Sequence, residues 1–192
     1  MAAPLSVVAF AGSLRAASYN RALARALRDL APPSLAVGIE EIGAIPLYNF
    51  DVERAAFPEA VTRLKHALRA ADGTLIVTPE HNFSLPGVLK NVLDWISRPP
   101  GDSALSGKPV GVLGATSGLT GTARAQMHLR TILVNLNAAV MPQPAVLIAQ
   151  AAGKFDADGR LTDEATRTHV RAYLEAFARW VALIGRKELP EG

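Results

Sequence analysis

From Leu5 to Ala11 the chain is almost free of polar side chains, and from Asn20 to Leu30 apolar residues return at helical spacing. The first pattern suits a strand covered on both faces; the second is a helix with one buried stripe. The alternation continues. Leu35 to Ile42 reads as a second strand, set between Pro32-Pro33 and Gly43, and Gly43 to Phe57 as a long connection. Pro58 to Ala71 is a helix with proline in its first turn and Val61, Leu64, Ala67 and Leu68 on its inner side. Gly73 to Thr78 is a third strand, Leu85 to Ser97 a helix, Val110 to Ala115 a fourth strand and Leu119 to Leu136 a helix. A fifth strand lies within Ala138 to Gln150, interrupted by Pro142 and Pro144, and Thr162 to Ile184 is a long closing helix. Five strands alternating with five helices predict a single α/β domain over residues 1–192, a parallel sheet with helices on both faces.

Composition removes several classes. The chain has 192 residues, 49% hydrophobic and 19% charged, enough for one full core and incompatible with disorder. No apolar run reaches membrane-span length, and the opening MAAPLSVVAFAGS has no basic segment before its apolar stretch. The chain has no cysteine, which excludes disulfides, thiolate metal sites, iron–sulfur clusters and a cysteine nucleophile. The expectation is a cytoplasmic protein with no membrane partner. The net charge of +3 equals that of the first thirty residues, where Arg15, Arg21, Arg25 and Arg28 face only Asp29. No basic run interleaved with aromatics accompanies it, so a nucleic-acid partner is not expected. A solvated helix face explains the charge, with attraction of a small anion as the second reading.

The chemistry concentrates in loops. Between the first strand and first helix stand Gly12, Ser13, Arg15, Ser18 and Asn20, which supply hydroxyls, a guanidinium and an amide. Ser18 is placed to cap the helix, whose free N–H groups and partial positive charge favour a phosphate. Neither a P-loop nor a G-x-G-x-x-G fingerprint is present, and one glycine among side-chain ligands suits a terminal monophosphate better than a pyrophosphate. The same residues would also serve an ordinary capped turn. In a parallel sheet, ligands sit beyond the carboxyl ends of the strands. There the third strand is followed by Pro79-Glu80-His81-Asn82 and the fourth by Thr116-Ser117-Gly118. No nucleophilic triad or metal-binding histidine spacing is found; His66, His81, His128 and His169 are scattered.

Gly12-Ser13-Leu14-Arg15, Ser18 and Asn20, together with the run Pro79-Glu80-His81-Asn82-Phe83-Ser84-Leu85-Pro86-Gly87-Val88-Leu89-Lys90-Asn91-Val92-Leu93-Asp94-Trp95, resemble the NADPH-dependent FMN reductase family. The resemblance extends through residues 123–130 to 161–164. It implies a flavodoxin-like three-layer sandwich with strand order 2-1-3-4-5. It also implies bound FMN, NADPH or NADH as co-substrate, small-molecule electron acceptors (quinones, azo compounds, metal oxyanions or flavin), and a homodimer or homotetramer. Ser13, Arg15, Ser18 and Asn20 would hold the FMN phosphate. Pro79, Glu80, His81 and Asn82 would run along the isoalloxazine, and Ser117 would close its other side. No side chain is implied as catalytic, since the flavin carries the chemistry. His81 departs from the family's usual tyrosine and Thr122 from its usual glycine, the latter expected to tighten the loop near the flavin. An electron carrier or regulatory flavoprotein without NAD(P)H turnover is the alternative; such carriers are typically acidic.

Four further expectations concern single residues. Asp94 and Arg98, four apart on a helix, would form a surface ion pair. Trp95 and Trp180 would anchor the core or an interface. Lys90-Asn91 would brace the preceding loop. Arg124 and Arg130 would meet either the phosphates of the nicotinamide cofactor or an acidic partner.

Overall fold

A computed structural model describes residues 3–185. The elements run β1 (Leu5–Ala11), α1 (Tyr19–Asp29), β2 (Leu35–Ile39), α2 (Phe50–Ala55), α3 (Glu59–Ala70), β3 (Gly73–Val77), α4 (Gly87–Ile96) and β4 (Pro109–Ala115). They continue with α5 (Ala123–Asn135), β5 (Ala139–Val140), β6 (Val146–Ile148), a short 3₁₀ turn at Ala151–Gly153 and α6 (Glu164–Gly185). The sheet is parallel in the order β2-β1-β3-β4-β5, with β6 also pairing β4. This is the expected order with one strand more.

Strand alternation distributes the core to two sides. Val7, Ala9 and Ala11 pack with α1 and α6, while Val8 and Phe10 pack with α3, α4 and α5. Close approach to α6 needs small residues: a Cβ on Gly111 would stand 2.5 Å from the Tyr173 hydroxyl and 2.6 Å from Leu75. Burial raises the Tyr173 hydroxyl well above the usual phenol range, and it donates to the Val112 carbonyl at 3.2 Å. Both tryptophans are anchors as expected. Trp95 donates to the Pro46 carbonyl and Trp180 to that of Ala139, each at 2.8 Å.

Four local readings are corrected. The connection after β2 contains a helix, α2, capped by the Asn49 side chain on Asp51 N–H at 2.8 Å. It buries no residue, so it has no apolar stripe in its sequence. The last strand is two: β5 pairs Pro109–Val110, the chain leaves the sheet through the prolines, and β6 returns to pair Leu113–Ala115. Proline cannot donate to the ladder, which explains the gap. Helix α5 begins at Ala123 instead of Leu119, after a turn in which Gly121 has φ +64°.

The fourth correction concerns charge pairing. Arg98 bonds Glu53 at 2.9 Å across to α2, while Asp94 pairs with Lys90 at 2.7 Å. Tyr48 donates to the same Glu53 carboxylate at 2.8 Å. The hydrogen bond from Arg98 holds the Glu53 carboxyl below the usual carboxylate range, and the bond to Glu53 raises the Tyr48 hydroxyl. Asn91 does brace a loop, but a different one. It accepts from Tyr48 N–H at 2.7 Å and donates to the Pro46 carbonyl at 2.8 Å, fixing the segment after β2.

Candidate functional site

The chain leaves β1 toward β2 on one side and returns to β3 on the other, so strand order reverses beside β1. Loops diverge there and leave a crevice. A cavity of about 420 Å³ occupies it, walled by the segments after β1, β3 and β4. Ser13, Arg15, Ser18, Asn20, Pro79, Glu80, His81 and Ser117 all line it, and of the expected residues only Asn82 does not. Thr116, from the loop expected after the fourth strand, joins them, with Tyr19 and Ala115, which the sequence did not single out. Tyr19 opens α1 and stacks on Phe155 with ring centres 5.5 Å apart, a contact made across most of the chain.

One end of the cavity gathers hydrogen-bond donors. Ser18 caps α1, its hydroxyl accepting from Asn20 N–H at 3.2 Å, and its own N–H closes a turn on the Arg15 carbonyl at 3.1 Å. Among the described residues, the N–H groups of Ser13 to Ala17 make no protein hydrogen bond. Unfilled N–H groups in succession before a helix N-terminus form a concavity of positive potential. The Arg15 guanidinium is exposed, 5.8 Å from the Tyr19 ring centre, and forms no ion pair among the described residues. Glu80, the carboxylate of the cavity wall, is neutralised by Arg124 at 2.8 Å.

Asn20 acts as a brace. Its amide donates to the Ala115 carbonyl at 2.8 Å and accepts from Ala115 N–H at 2.9 Å, tying α1 to the end of β4. The side chain is thus engaged on the sheet, and its part at the cavity is to hold the two walls together. Glu80 plays the matching role opposite. Its carboxylate accepts from the N–H groups of Arg124 and Ala125 at 3.0 and 3.2 Å, capping α5 from outside that helix. The Thr122 cap position has no side-chain bond of this kind.

The flat end is a rigid turn. His81 and Ser84 exchange backbone hydrogen bonds at 2.9 Å both ways, with Asn82 at φ +48° and Phe83 at φ +64° between them. Two left-handed central residues define the tight hairpin turn, and an aromatic residue in that conformation is strained. Arg124 lies 3.9 Å above the Phe83 ring, and Ser84 bonds His128 at 2.9 Å, so α5 holds the turn in place. Arg124 therefore has partners within its own chain, and Arg130 donates to the Met141 carbonyl at 2.8 Å.

Thr122 is fully buried and does not itself line the cavity. Its hydroxyl accepts from Gln126 at 3.0 Å. The space comes from Gly114, where a Cβ would lie 2.1 Å from that hydroxyl and 2.2 Å from the Thr78 carbonyl. A larger hollow of about 500 Å³ lies between β6 and α6, but its Lys154 is already paired with Asp163 at 3.2 Å. Volume alone does not pick the site. No group of three or more potential metal ligands occurs among the described residues.

A doubly wound parallel sheet in the order β2-β1-β3-β4-β5, with a crevice at its switch point, defines the flavodoxin-like class of α/β proteins. Residues 5–153 match the family model described as NADPH-dependent FMN reductase, and the chain belongs to that family. It is 46% identical to an NAD(P)H-dependent FMN reductase of Pseudomonas aeruginosa over 181 residues, 94% of this chain and 97% of that one. It is 49% identical to a quinone reductase of Pseudomonas putida over 178 residues, 93% and 95% of the two chains. Among solved structures, the flavoenzyme NAD(P)H:(acceptor) oxidoreductase FerB of Paracoccus denitrificans superposes with TM-score 0.85 at 38% identity, covering 93% of this chain and 98% of that one.

Proposed function

We propose that this chain is an FMN-dependent oxidoreductase that accepts reducing equivalents from NADPH or NADH and passes them to quinones. Azo compounds, metal oxyanions and free flavin fall in the same acceptor class. The observation that carries the reading is the exposed Arg15 guanidinium beside the unfilled N–H groups of Ser13 to Ala17, at one end of a cavity otherwise walled by the segments after β3 and β4.

The residues fit FMN. A volume of about 420 Å³ lies within the ordinary range for small-molecule sites. The donor-rich end carries the Arg15 guanidinium, which forms no ion pair among the described residues, and the wall's Glu80 is paired with Arg124, which suits a monophosphate. Ser13 and Arg15 would hold that phosphate, with Ser18 and Asn20 fixing the helix that faces it. Pro79, Glu80 and His81 would present backbone to the ring, Asn82 would bond its polar edge, and Ser117 would close the opposite side. FMN supplies hydride acceptance and one- or two-electron delivery. The chain's own contribution is orientation. The Asn20 and Glu80 braces keep three loops at fixed separation, and the Phe83–Arg124 stack fixes the rim where an acceptor enters.

The net charge of +3 disfavours the carrier reading, because carriers of this class present acidic surfaces to basic partners. A homodimer or homotetramer is part of the proposal, supported by Met127 and Val134, which lie exposed one above the other on α5. We place the protein in the cytoplasm on its lack of cysteine; among the described residues no helix is long and apolar enough to cross a membrane. Initial-rate kinetics with NADPH and a benzoquinone test the whole reading. Parallel double-reciprocal lines, lost when FMN is stripped and restored when it is returned, are expected. Electron transfer with no FMN requirement would overturn it.

A further inference from the structure

His81 stands apart from the other polar groups of the cavity. It lines the wall, is exposed, and its imidazole makes no hydrogen bond or ion pair among the described residues. Its backbone, in contrast, is bonded on both sides within the 81–84 turn, and that turn is clamped by Arg124 and His128. A fixed backbone with a free imidazole is the arrangement of a group that acts on something entering from solvent. Imidazole is also the side chain most often used to give a proton to a reacting group.

We propose that His81 is the proton donor to the acceptor in quinone reduction, a role that rests on the flavin-reductase reading above. A quinone becoming a hydroquinone gains two electrons and two protons. Reduced FMN, when bound, would supply both electrons and one proton as hydride. The second proton has to reach a carbonyl oxygen: an imidazolium N–H bond breaks, the O–H bond forms, and the neutral imidazole regains its proton from water.

The charged and titratable groups around His81 leave it free to do this. From the loop after β1 and from α1 come Arg15 and Tyr19; in its own loop Glu80 is turned into the N-terminus of α5 and paired with Arg124. On α5, His128 is held by Ser84, and the segment after β4 contributes only the hydroxyls of Thr116 and Ser117 to the wall. His81 is thus the imidazole of the cavity wall, and His128 is bonded to the far side of the same turn.

The test compares wild type with His81→Gln. In wild type, kcat/KM for a benzoquinone should fall as pH rises, while ferricyanide, which takes an electron and no proton, should show no such slope. In His81→Gln the quinone value should drop on the order of 10²-fold at low pH, the lower range for a lost general acid, and lose its slope; an equal fall with ferricyanide would overturn the proposal. A second readout needs no turnover. FMN added to the flavin-free chain should shift the imidazole proton resonance that disappears in His81→Gln, and leave those of His66 and His169 in place. An unchanged quinone profile in the variant, or a His81 resonance indifferent to bound FMN, would overturn the proposal. Failure of the chain to bind FMN at all would instead overturn the reading beneath it.

Discussion

Glu80 and Arg124 are joined twice across 44 residues: the carboxylate accepts from the guanidinium Nε at 2.8 Å and from the backbone N–H at 3.0 Å. The pair fastens the loop after β3 to the start of α5, which forms the rim of the cavity. Glu80→Ala removes the acceptor for two helix N–H groups and uncouples Arg124. A loss of about 1–2 kcal/mol in chemical denaturation is expected, together with weaker FMN binding. Full stability in this variant would show that the cap contributes nothing.

Arg15 separates binding from folding, because its side chain is exposed, lies 5.8 Å from the Tyr19 ring centre and forms no ion pair among the described residues. Arg15→Ala should leave the denaturation midpoint in place and weaken FMN by about 1.5–3 kcal/mol, the range for a hydrogen bond to a charged group. Flavin fluorescence quenching measures it directly. Riboflavin, which lacks the phosphate, should bind wild type and variant alike.

Asn20 should behave in the opposite way. It is buried, and both amide atoms are bonded to Ala115. Asn20→Ala leaves a buried carbonyl and a buried N–H without partners, at a cost of about 2–4 kcal/mol. The denaturation midpoint should fall accordingly, and FMN affinity should fall as the walls separate.

Acid should release α2. Glu53 has its carboxyl held low by the hydrogen bond from Arg98, so it binds a proton more readily when unfolded than when folded. The stability it contributes is complete above the ordinary carboxylate range and is lost as pH falls through the lowered value. Stability followed from pH 7 downward should therefore decline in wild type more steeply than in Glu53→Gln. Parallel declines would show that the Tyr48–Glu53–Arg98 cluster is not linked to folding.

The parts of this fold legible in the sequence are those whose cause is local. The apolar run Leu5–Ala11, the turn Gly12 to Ser18 and the periodicity of α1 lie within thirty residues, and they place the anion end of the cavity without further information. The strands and long helices follow from periodicity in the same way. What escaped depends on distant partners. Nothing near Asn20 shows that its amide is engaged on Ala115, and nothing near Glu80 shows that it caps a helix beginning at Ala123. The Asp94–Arg98 expectation failed for the same reason: spacing permits that pair, but Glu53 on α2 offers Arg98 a nearly buried carboxylate, and Lys90 takes Asp94. Helix α2 itself carries no apolar stripe, because Asn49, Tyr48 and Arg98 hold it through polar contacts. The way Thr122 fills the space left by Gly114 is likewise a packing relation, between β4 and the start of α5, that no local pattern shows.

Absorbance of the purified protein with FMN, followed without oxygen as NADPH is added and then a quinone, tests the central claim most directly. The account predicts protein-bound flavin bands that bleach with NADPH and return with the quinone. Flavin bound in the cavity that NADPH leaves oxidised would contradict it.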